Sequence, residues 1–401
     1  MIKRFPYICL LSLFVSCNNG NQQSYHTDYT NSDSNGALPT YDIFSSPLYD
    51  TLSYDNVIES VRYVPLETNS KSLFSNKLLY AHKFGNKYIV TSDEYDRLKI
   101  GVFDSTGTFV TNGVTLGRGH FEIPLPYSFI VDEYNGFIIL NGLNKILVFD
   151  ISTLEIQAFD FKPFEDKTIY YLYPLASGSY VGLGVPDSNN EMDKKNYPYA
   201  YLLDSVFNVK TALRYSNKEK RHYIMPRSET PYGTTYERWK CSQKEEGVLF
   251  LQRFNDTIFT ITGDFKQTPS FIIERGEDFR PSYKDQTINY LESLKKICFN
   301  DVFESDDYLF LTYKSDTSWH KTVVWSKLNA NILCKSAENQ AIPVSFDGFS
   351  GNVHVKQVQH GNTLITAIPA NKLMNVLPGL KEDDNPVVVE IKLKDNYTPA
   401  Q

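Results

Sequence analysis

Short strand–turn units recur along most of this chain, and this repetition limits the fold more than any other feature of the sequence. Val102-Phe103-Asp104 and Val148-Phe149-Asp150 are each followed by turn residues, and Leu202-Leu203-Asp204 continues the series. A turn and a further apolar strand lie upstream of each tripeptide, which indicates antiparallel strands joined by tight turns. Repeats of about 40–50 residues with four short strands are typical of propeller blades. We therefore predict an all-β propeller.

Six blades can be placed on the sequence, and five of them contain four strands each. The last blade has only three strands of its own, whereas the apolar segment 57–64 near the N-terminus has no partner nearby. If 57–64 forms the outer strand of the last blade, the ring closes and no sheet edge is left open. The sequence thus predicts one six-bladed β-propeller with four-stranded blades over 55–395. The blades are assigned to residues 77–112, 127–159, 169–214, 237–274, 297–335 and 351–393.

The composition agrees with a strand-rich domain. Hydrophobic residues make up 41% of the chain, and 28 Tyr with 26 Phe favour pleated, half-buried surfaces. The formal net charge of -7 argues against a nucleic-acid partner. Beyond the N-terminus, no apolar run approaches the roughly 20 residues that span a bilayer.

The N-terminus has the order of a secretory leader. Lys3 and Arg4 precede the mostly apolar stretch 5–15, which is too short to span a membrane. A small residue then stands directly before Cys17, an arrangement that resembles the lipobox of bacterial lipoproteins. The resemblance implies that residues 1–16 are removed and that Cys17 is acylated; an ordinary signal peptide is the alternative.

The segment after Cys17 is almost wholly polar and rich in Asn and Ser, which predicts a flexible tether over 17–50. We therefore expect the protein outside the cytoplasm, attached to a lipid bilayer through Cys17. The outer membrane is the expected location.

Cysteine and histidine spacing predicts neither a disulfide framework nor a metal site. Only Cys241, Cys298 and Cys334 remain in the mature chain, widely separated and without a Cys-x-x-Cys pair. We expect three free, mostly buried thiols, and no cofactor.

Three segments and one loop resemble the six-bladed β-propeller lipoproteins of Bacteroidetes. The segments are Tyr63–Thr68, Phe254–Phe259 and Asn385–Val389, and the loop is Gly117-Arg118-Gly119-His120-Phe121-Glu122 after the first blade. The resemblance covers nearly the whole mature chain and implies the fold and the bacterial source. It implies no chemistry, because one fold serves many functions.

The long connections of the predicted propeller share one face. Successive strands of a propeller blade alternate in direction. The connection between strands two and three therefore lies on the same side of the propeller as the connection to the next blade. Long loops on one side of a rigid scaffold are typical of a binding face. The long connections are 113–126, 185–197, 215–236, 275–296 and 368–386.

Basic and aromatic residues on these loops are the candidate ligand-binding residues. Aromatic faces stack on sugars, and cations bind carboxylate or sulfate groups, so the mixture suits a glycan or another anionic ligand. The alternatives are a solvated loop for 214–239 and a tight turn for the Gly-Arg-Gly segment. The candidates are Arg118, His120, Arg214, Arg221, His222, Arg227, Tyr232, Trp239 and Arg280.

Two function classes follow. The first is a non-enzymatic binding module that captures a glycan or meets a protein partner of a nutrient-uptake system. The second is a carbohydrate hydrolase or lyase, in which carboxylates such as Glu122, Glu229, Glu237 or Asp278 would act as acid and base. Because no catalytic motif is present, the binding module is the favoured interpretation.

Overall fold

A computed structural model describes most of the chain beyond the N-terminal segment. The described residues are 37–74, 79–94, 97–124, 126, 128–142, 144–161, 169–184, 198–214, 240–244, 247–251, 256–276, 297–314, 321–336, 341–355, 358–359 and 361–398.

Three strands precede the first blade, and the blades then follow in chain order. The early strands are β1 (Thr40–Asp42), β2 (Leu52–Ser53) and β3 (Ile58–Pro65). Blade 1 contains β4 (Leu79–Phe84), β5 (Lys87–Glu94), β6 (Arg97–Asp104) and β7 (Phe109–Asn112). The crossing to blade 2 contains the short parallel pair β8 (Thr115–Leu116) and β9 (Glu122–Ile123).

Blades 2 to 5 each contain four consecutive antiparallel strands. Blade 2 contains β10 (Ser128–Asp132), β11 (Phe137–Asn141), β12 (Lys145–Asp150) and β13 (Ile156–Asp160). Blade 3 contains β14 (Ile169–Pro174), β15 (Tyr180–Gly184), β16 (Pro198–Leu203) and β17 (Val209–Arg214). Blade 4 contains β18 (Lys240–Lys244), β19 (Gly247–Leu251), β20 (Thr257–Thr262) and β21 (Gln267–Glu274). Blade 5 contains β22 (Cys298–Glu304), β23 (Tyr308–Lys314), β24 (Lys321–Ser326) and β25 (Ile332–Lys335).

The last two blades are completed by the early strands. Blade 6 is the hairpin of β26 (Ile342–Phe346) and β27 (Phe349–Val353), with β2 added along β26. Blade 7 contains β28 (Val358–Gln359), β29 (Thr363–Ile368) and β30 (Val387–Leu393), with β3 as its outer strand. A 3-10 turn, Ala370–Lys372, follows β29.

The predicted repeat has a direct structural cause at the end of the third strand in blades 1, 2 and 3. The Asp104 carboxylate accepts hydrogen bonds from the backbone N–H groups of Thr106 and Thr108, which holds the next turn in place. Asp150 and Asp204 cap the equivalent turns of blades 2 and 3 in the same way. The repeated Asp is therefore a turn-capping residue, as expected for Asp at such positions.

Buried apolar side chains join neighbouring blades into a ring. Between blades 1 and 2, Ile89 and Val102 pack in one cluster with Ile138 and Leu147. Equivalent clusters join the other neighbours, and blade 6 shares a cluster with blades 5 and 7. The core therefore lies between the sheets, with both faces of each blade covered.

The predicted number of six blades is wrong, because the chain forms seven. The sequence interpretation treated 336–350 as a connection and placed the first strand of the last blade at 351–357. Instead, β26 and β27 form a separate hairpin around Asp347 and Gly348, which both have positive φ, 48° and 82°. An Asp-Gly pair between alternating apolar residues favours such a two-residue turn, and this signal was overlooked.

Residues 40–65, which we call the belt, cover the outer edges of four successive blades. β1 pairs in parallel with β21 of blade 4, and the N–H groups of Leu48 and Tyr49 donate to β25 of blade 5. β2 then pairs with β26 of blade 6, and β3 pairs with β30 of blade 7. The predicted closing strand is confirmed. The predicted tether, 17–50, extends too far, because residues 40–50 already belong to the belt.

The belt leads into a segment that connects blade 7 to blade 1. The Asn385 side chain, which is buried, donates to the carbonyl oxygens of Glu67 and Ser72 and accepts from the N–H of Phe74. The Glu67 N–H donates to Gly107 O in the outer turn of blade 1. Two of the segments behind the family resemblance, 63–68 and 385–389, therefore meet at the closure of the ring.

Two further features of the described chain concern its helices and its thiols. No helix there is long and apolar enough to cross a bilayer. Cys334 is a free, buried thiol, and burial raises its pKa. The side chains of Cys241 and Cys298 lie outside the description, so three free thiols remain a prediction.

We predict that Gly107→Ala destabilises the domain much more than Gly85→Ala. Both glycines have positive φ, but a Cβ at Gly107 would lie 2.1 Å from the Pro65 carbonyl oxygen, whereas a Cβ at Gly85 meets open space. We expect a loss of about 3 kcal/mol for Gly107→Ala and about 1 kcal/mol for Gly85→Ala. Urea unfolding of both variants measures the difference. Equal losses would contradict the close contact between belt and blade 1.

We predict that Glu390 makes the closure sensitive to acid. Burial opposes the charge on this carboxylate, but hydrogen bonds from Lys83 and Tyr88 outweigh it and hold the pKa of Glu390 below its ordinary value. The carboxylate therefore stabilises the fold above the ordinary pKa of Glu, and this contribution disappears as pH falls through the lower folded-state pKa. We expect Glu390→Gln to cost about 1 kcal/mol at pH 7 and less at pH 3.

The matched control is Glu59→Gln on β3, where the side chain is exposed. Urea unfolding at both pH values should show little change for this variant. A loss for Glu390→Gln that is the same at pH 7 and pH 3 would show that the Glu390 charge does not stabilise the closure.

Candidate functional site

The structure describes two of the five long connections on the predicted binding face. They are 113–126, apart from residue 125, and 368–386. Two candidate residues, Arg118 and His120, lie in the first of these connections. A third, Arg214, is described at the end of β17. The remaining candidates lie outside the described residues: Cys17, Arg221, His222, Arg227, Tyr232, Trp239 and Arg280.

The Gly-Arg-Gly loop forms a compact turn in the crossing from blade 1 to blade 2. The Gly117 N–H donates to Ile123 O at 3.0 Å, and the Gly119 N–H donates to Glu122 Oε2 at 2.8 Å. A Cβ at Gly117 would lie 2.1 Å from Glu122 Oε2. Gly117 and Glu122 are therefore needed by the turn itself, which agrees with the tight-turn interpretation of this motif.

Lys145, the first residue of β12, fixes the turn to blade 2. Its Nζ donates to the carbonyl oxygens of Gly119, His120 and Glu122 at 3.0, 3.1 and 3.3 Å. One ammonium thus satisfies three backbone acceptors of the exposed turn, and hydrogen bonds from charged donors are stronger than neutral ones. These hydrogen bonds attach the backbone of the turn to β12 of blade 2.

The tip of this turn presents polar and aromatic side chains to solvent. Arg118, His120 and Phe121 are exposed, and Phe121 retains 48% of its accessible surface. The His120 and Phe121 rings meet edge to face, with centroids 4.5 Å apart. We call Arg118, His120 and Phe121 the crossing tip. A guanidinium can bind an anionic group, and an exposed aromatic ring can bind the apolar face of a sugar.

Arg214 lies elsewhere on the propeller. It is the last residue of β17, the outermost strand of blade 3, where it pairs with Pro198. The structure therefore places this candidate at the outer rim, whereas Arg118 and His120 lie in the crossing between blades 1 and 2. Arg214 is half-buried.

The long connection 368–386 covers the core rather than standing free. Leu373 is fully buried, and Val376, Leu377 and Leu380 pack against the cluster shared by blades 5, 6 and 7. The acidic run at 382–384 follows, with residues 382 and 383 exposed, and the Asp384 carboxylate accepts from the Lys381 N–H. Among the described residues, no group of three or more His, Cys, Asp or Glu side chains could hold a metal ion.

Sequence reasoning missed a buried ion pair at the start of the 275–296 connection. Arg275 is fully buried, and its Nε lies 2.7 Å from Asp256 Oδ1. Its NH1 donates to Ile297 O at 2.6 Å, and the guanidinium lies 4.6 Å from the centre of the Phe299 ring. The pair fixes both ends of the long connection, 275 and 297. The sequence contained one signal for this ion pair, because Asp256 belongs to the segment 254–259 that resembles the propeller family.

Comparison with known proteins identifies the family. The model of the family described as "Domain of unknown function (DUF4934)" matches residues 39–392, so this chain belongs to that family. No curated protein sequence matches it significantly.

Two solved structures from Bacteroides share the propeller fold. A protein of Bacteroides fragilis NCTC 9343 that is described as exported has a TM-score of 0.62 and 16% identity, over 90% of this chain and 100% of that one. A member of the DUF4221 family from Bacteroides vulgatus has a TM-score of 0.52 and 11% identity, over 84% of this chain and 97% of that one. At these identities the likeness shows the fold alone. The predicted resemblance to Bacteroidetes propeller proteins is confirmed in this coarser form.

We predict that Gly117→Ala disrupts the crossing turn, because the added methyl group displaces the Glu122 carboxylate from the Gly119 N–H. The expected loss of stability is about 2 kcal/mol, measured by urea unfolding. Gly263→Ala is the control, since a Cβ there meets only Ser177 Oγ at 3.9 Å. If both variants unfold alike, the Glu122 contact does not hold the turn.

Proposed function

We propose that this protein is an exported, lipid-anchored binding module that captures an anionic ligand, such as an acidic glycan, on the face with the long loops. Export is supported by the leader-like N-terminus and by the fold shared with a Bacteroides fragilis protein that is described as exported. Acylation at Cys17 rests on the sequence before it. The protein partner from a nutrient-uptake system remains a sequence prediction.

The observation that carries the proposal is the construction of the crossing tip. Glu122 and Lys145 hold its backbone by four hydrogen bonds, while Arg118, His120 and Phe121 remain exposed. Rigid presentation favours binding, because less conformational entropy is lost when a ligand is bound. An exposed guanidinium on a fixed backbone suits carboxylate or sulfate, and the adjacent rings suit the apolar face of a sugar.

The charge on the opposite side of the ring supports this choice of face. The turns between the third and fourth strands of blades 1, 2 and 3 each carry a capping aspartate, Asp104, Asp150 and Asp204. Hydrogen bonds to Thr106 lower the pKa of Asp104, so it stays charged at neutral pH. Asp204 is paired with Lys210 at 2.7 Å, so the Asp104 and Asp150 carboxylates are the ones that repel an anionic ligand and favour its approach from the side of the long loops.

The alternative, a hydrolase or lyase acting on carbohydrate, has no specific support among the described residues. It makes a distinct experimental claim, because an enzyme would consume the glycan that a binding module merely retains. Incubating the protein with acidic oligosaccharides and following chain length by mass spectrometry separates the two.

We predict that Arg118→Ala combined with His120→Ala weakens binding to carboxylated or sulfated glycans by at least about tenfold, equivalent to about 1.4 kcal/mol. Both side chains are exposed, so the fold should be unaffected. A glycan array followed by calorimetry measures the loss, and binding by the native protein should weaken as salt rises.

The matched control is Lys266→Ala, which removes an exposed cation from the turn between the third and fourth strands of blade 4. This variant should bind as the native protein does. Native affinity in the double variant would exclude the crossing tip as the binding site.

A further inference from the structure

An uncharged, exposed strip lies along the outer edge of blade 5, where the belt passes. Phe44 and Leu48 retain 49% and 45% of their accessible surface, and the residues between them, Ser45, Ser46 and Pro47, are also exposed. Isolated exposed apolar residues are common on protein surfaces. This strip differs because a third exposed apolar residue belongs to the same blade.

Leu328 extends the strip from the body of the blade. It retains 60% of its accessible surface in the turn that leads into β25. The Leu48 N–H donates to Ile332 O at the start of the same strand, at 2.9 Å. The belt and the β25 turn therefore bring Phe44, Leu48 and Leu328 to one edge, which we call the blade 5 edge.

The charged groups next to the blade 5 edge suit a membrane surface. Lys335 Nζ donates to Ser45 O at 2.7 Å, which places an ammonium beside the apolar residues. Lys327, next to Leu328 in the chain, pairs with Glu304. The Asp42 carboxylate accepts hydrogen bonds from the Phe44 N–H and the Ser45 hydroxyl and offsets part of the Lys335 charge. Apolar side chains beside lysines are typical of surfaces that meet lipid head groups.

The position of the edge in the chain identifies its partner. The belt begins at residue 40, a few residues before Phe44, and the predicted acylation site Cys17 lies about 20 residues before it. The tether that the composition predicts there would have a typical end-to-end distance of about 25 Å. An anchor at Cys17 would thus hold this part of the belt close to the bilayer.

We propose that the blade 5 edge rests on the lipid bilayer, so that the propeller stands edge-on with the long-loop face free for ligand. This proposal rests on the anchoring at Cys17 proposed above. It adds an orientation and names the contacting residues.

The test is photolabelling of the full chain on vesicles that contain phosphatidylethanolamine, phosphatidylglycerol and a diazirine lipid. Peptide mass spectrometry maps the labelled residues. We expect several-fold more label on residues 44–48 and 328 than on 118–121 or 152–154. The variant Phe44→Ser, Leu48→Ser, Leu328→Ser should lose this preference. The matched variant Leu154→Ser, Val206→Ser, which changes exposed aliphatic residues of blades 2 and 3, should keep it.

Label distributed equally, or concentrated on 118–121 or 152–154, would overturn the orientation and leave the edge available to a protein. The mass of the N-terminal peptide reports acylation separately. If Cys17 is not acylated, the anchoring proposal fails, and the same map is then recorded with the chain held at residue 17 by a histidine tag on nickel-chelating vesicles. The orientation is thereby decided in either case.

Discussion

The structure depends on backbone hydrogen bonds between the belt and the outer edges of blades 4 to 7. An open ring of sheets would leave unpaired N–H and C=O groups at these edges, and such edges invite aggregation. β1, β2 and β3 pair with β21, β26 and β30, and Leu48 and Tyr49 add two bonds to β25. One N-terminal segment thus protects four blades and joins the last blade to the first.

The contact between neighbouring blades explains why the closure is tight. At two junctions, the outer strand of one blade contacts the turn between the third and fourth strands of the next. Phe159 of β13 meets Phe207 in the turn of blade 3, with ring centroids 5.2 Å apart. At the closure, Pro65 of β3 meets Gly107 in the turn of blade 1, so closely that no side chain fits there. The closing contact follows the same plan as the internal one, and the ring needs no additional element.

The parts of the fold that repeat were predictable, and so was the single strand that completes the last blade. The apolar–Asp–turn unit at 102–104, 148–150 and 202–204 predicted the blades because each Asp caps the turn after its strand. The closing strand 57–64 followed from the missing partner in the last blade. The hairpin around Asp347 was missed because it interrupts the repeat, although its Asp-Gly pair carries a turn signal. β1 was missed because it is only three residues long, Thr40–Asp42, and pairs with a strand far along the chain.

The candidate site was predictable only in part, because residue type does not report distance. Arg118 and His120 were correctly expected in an exposed crossing, whereas Arg214 lies on another blade. The support of the crossing tip by Lys145 could not be inferred, since it depends on blade 2 lying beneath the loop. Binding by this face requires a rigid ring, and the ring requires the belt.

The measurement that tests this dependence most directly is thermal unfolding of two truncated chains, one beginning at residue 37 and one at residue 55. The first retains the whole belt and should melt as the full chain does. The second lacks β1, β2 and the bonds to β25 and should melt at a clearly lower temperature, because three blade edges become unpaired. Identical melting of the two chains would contradict the account.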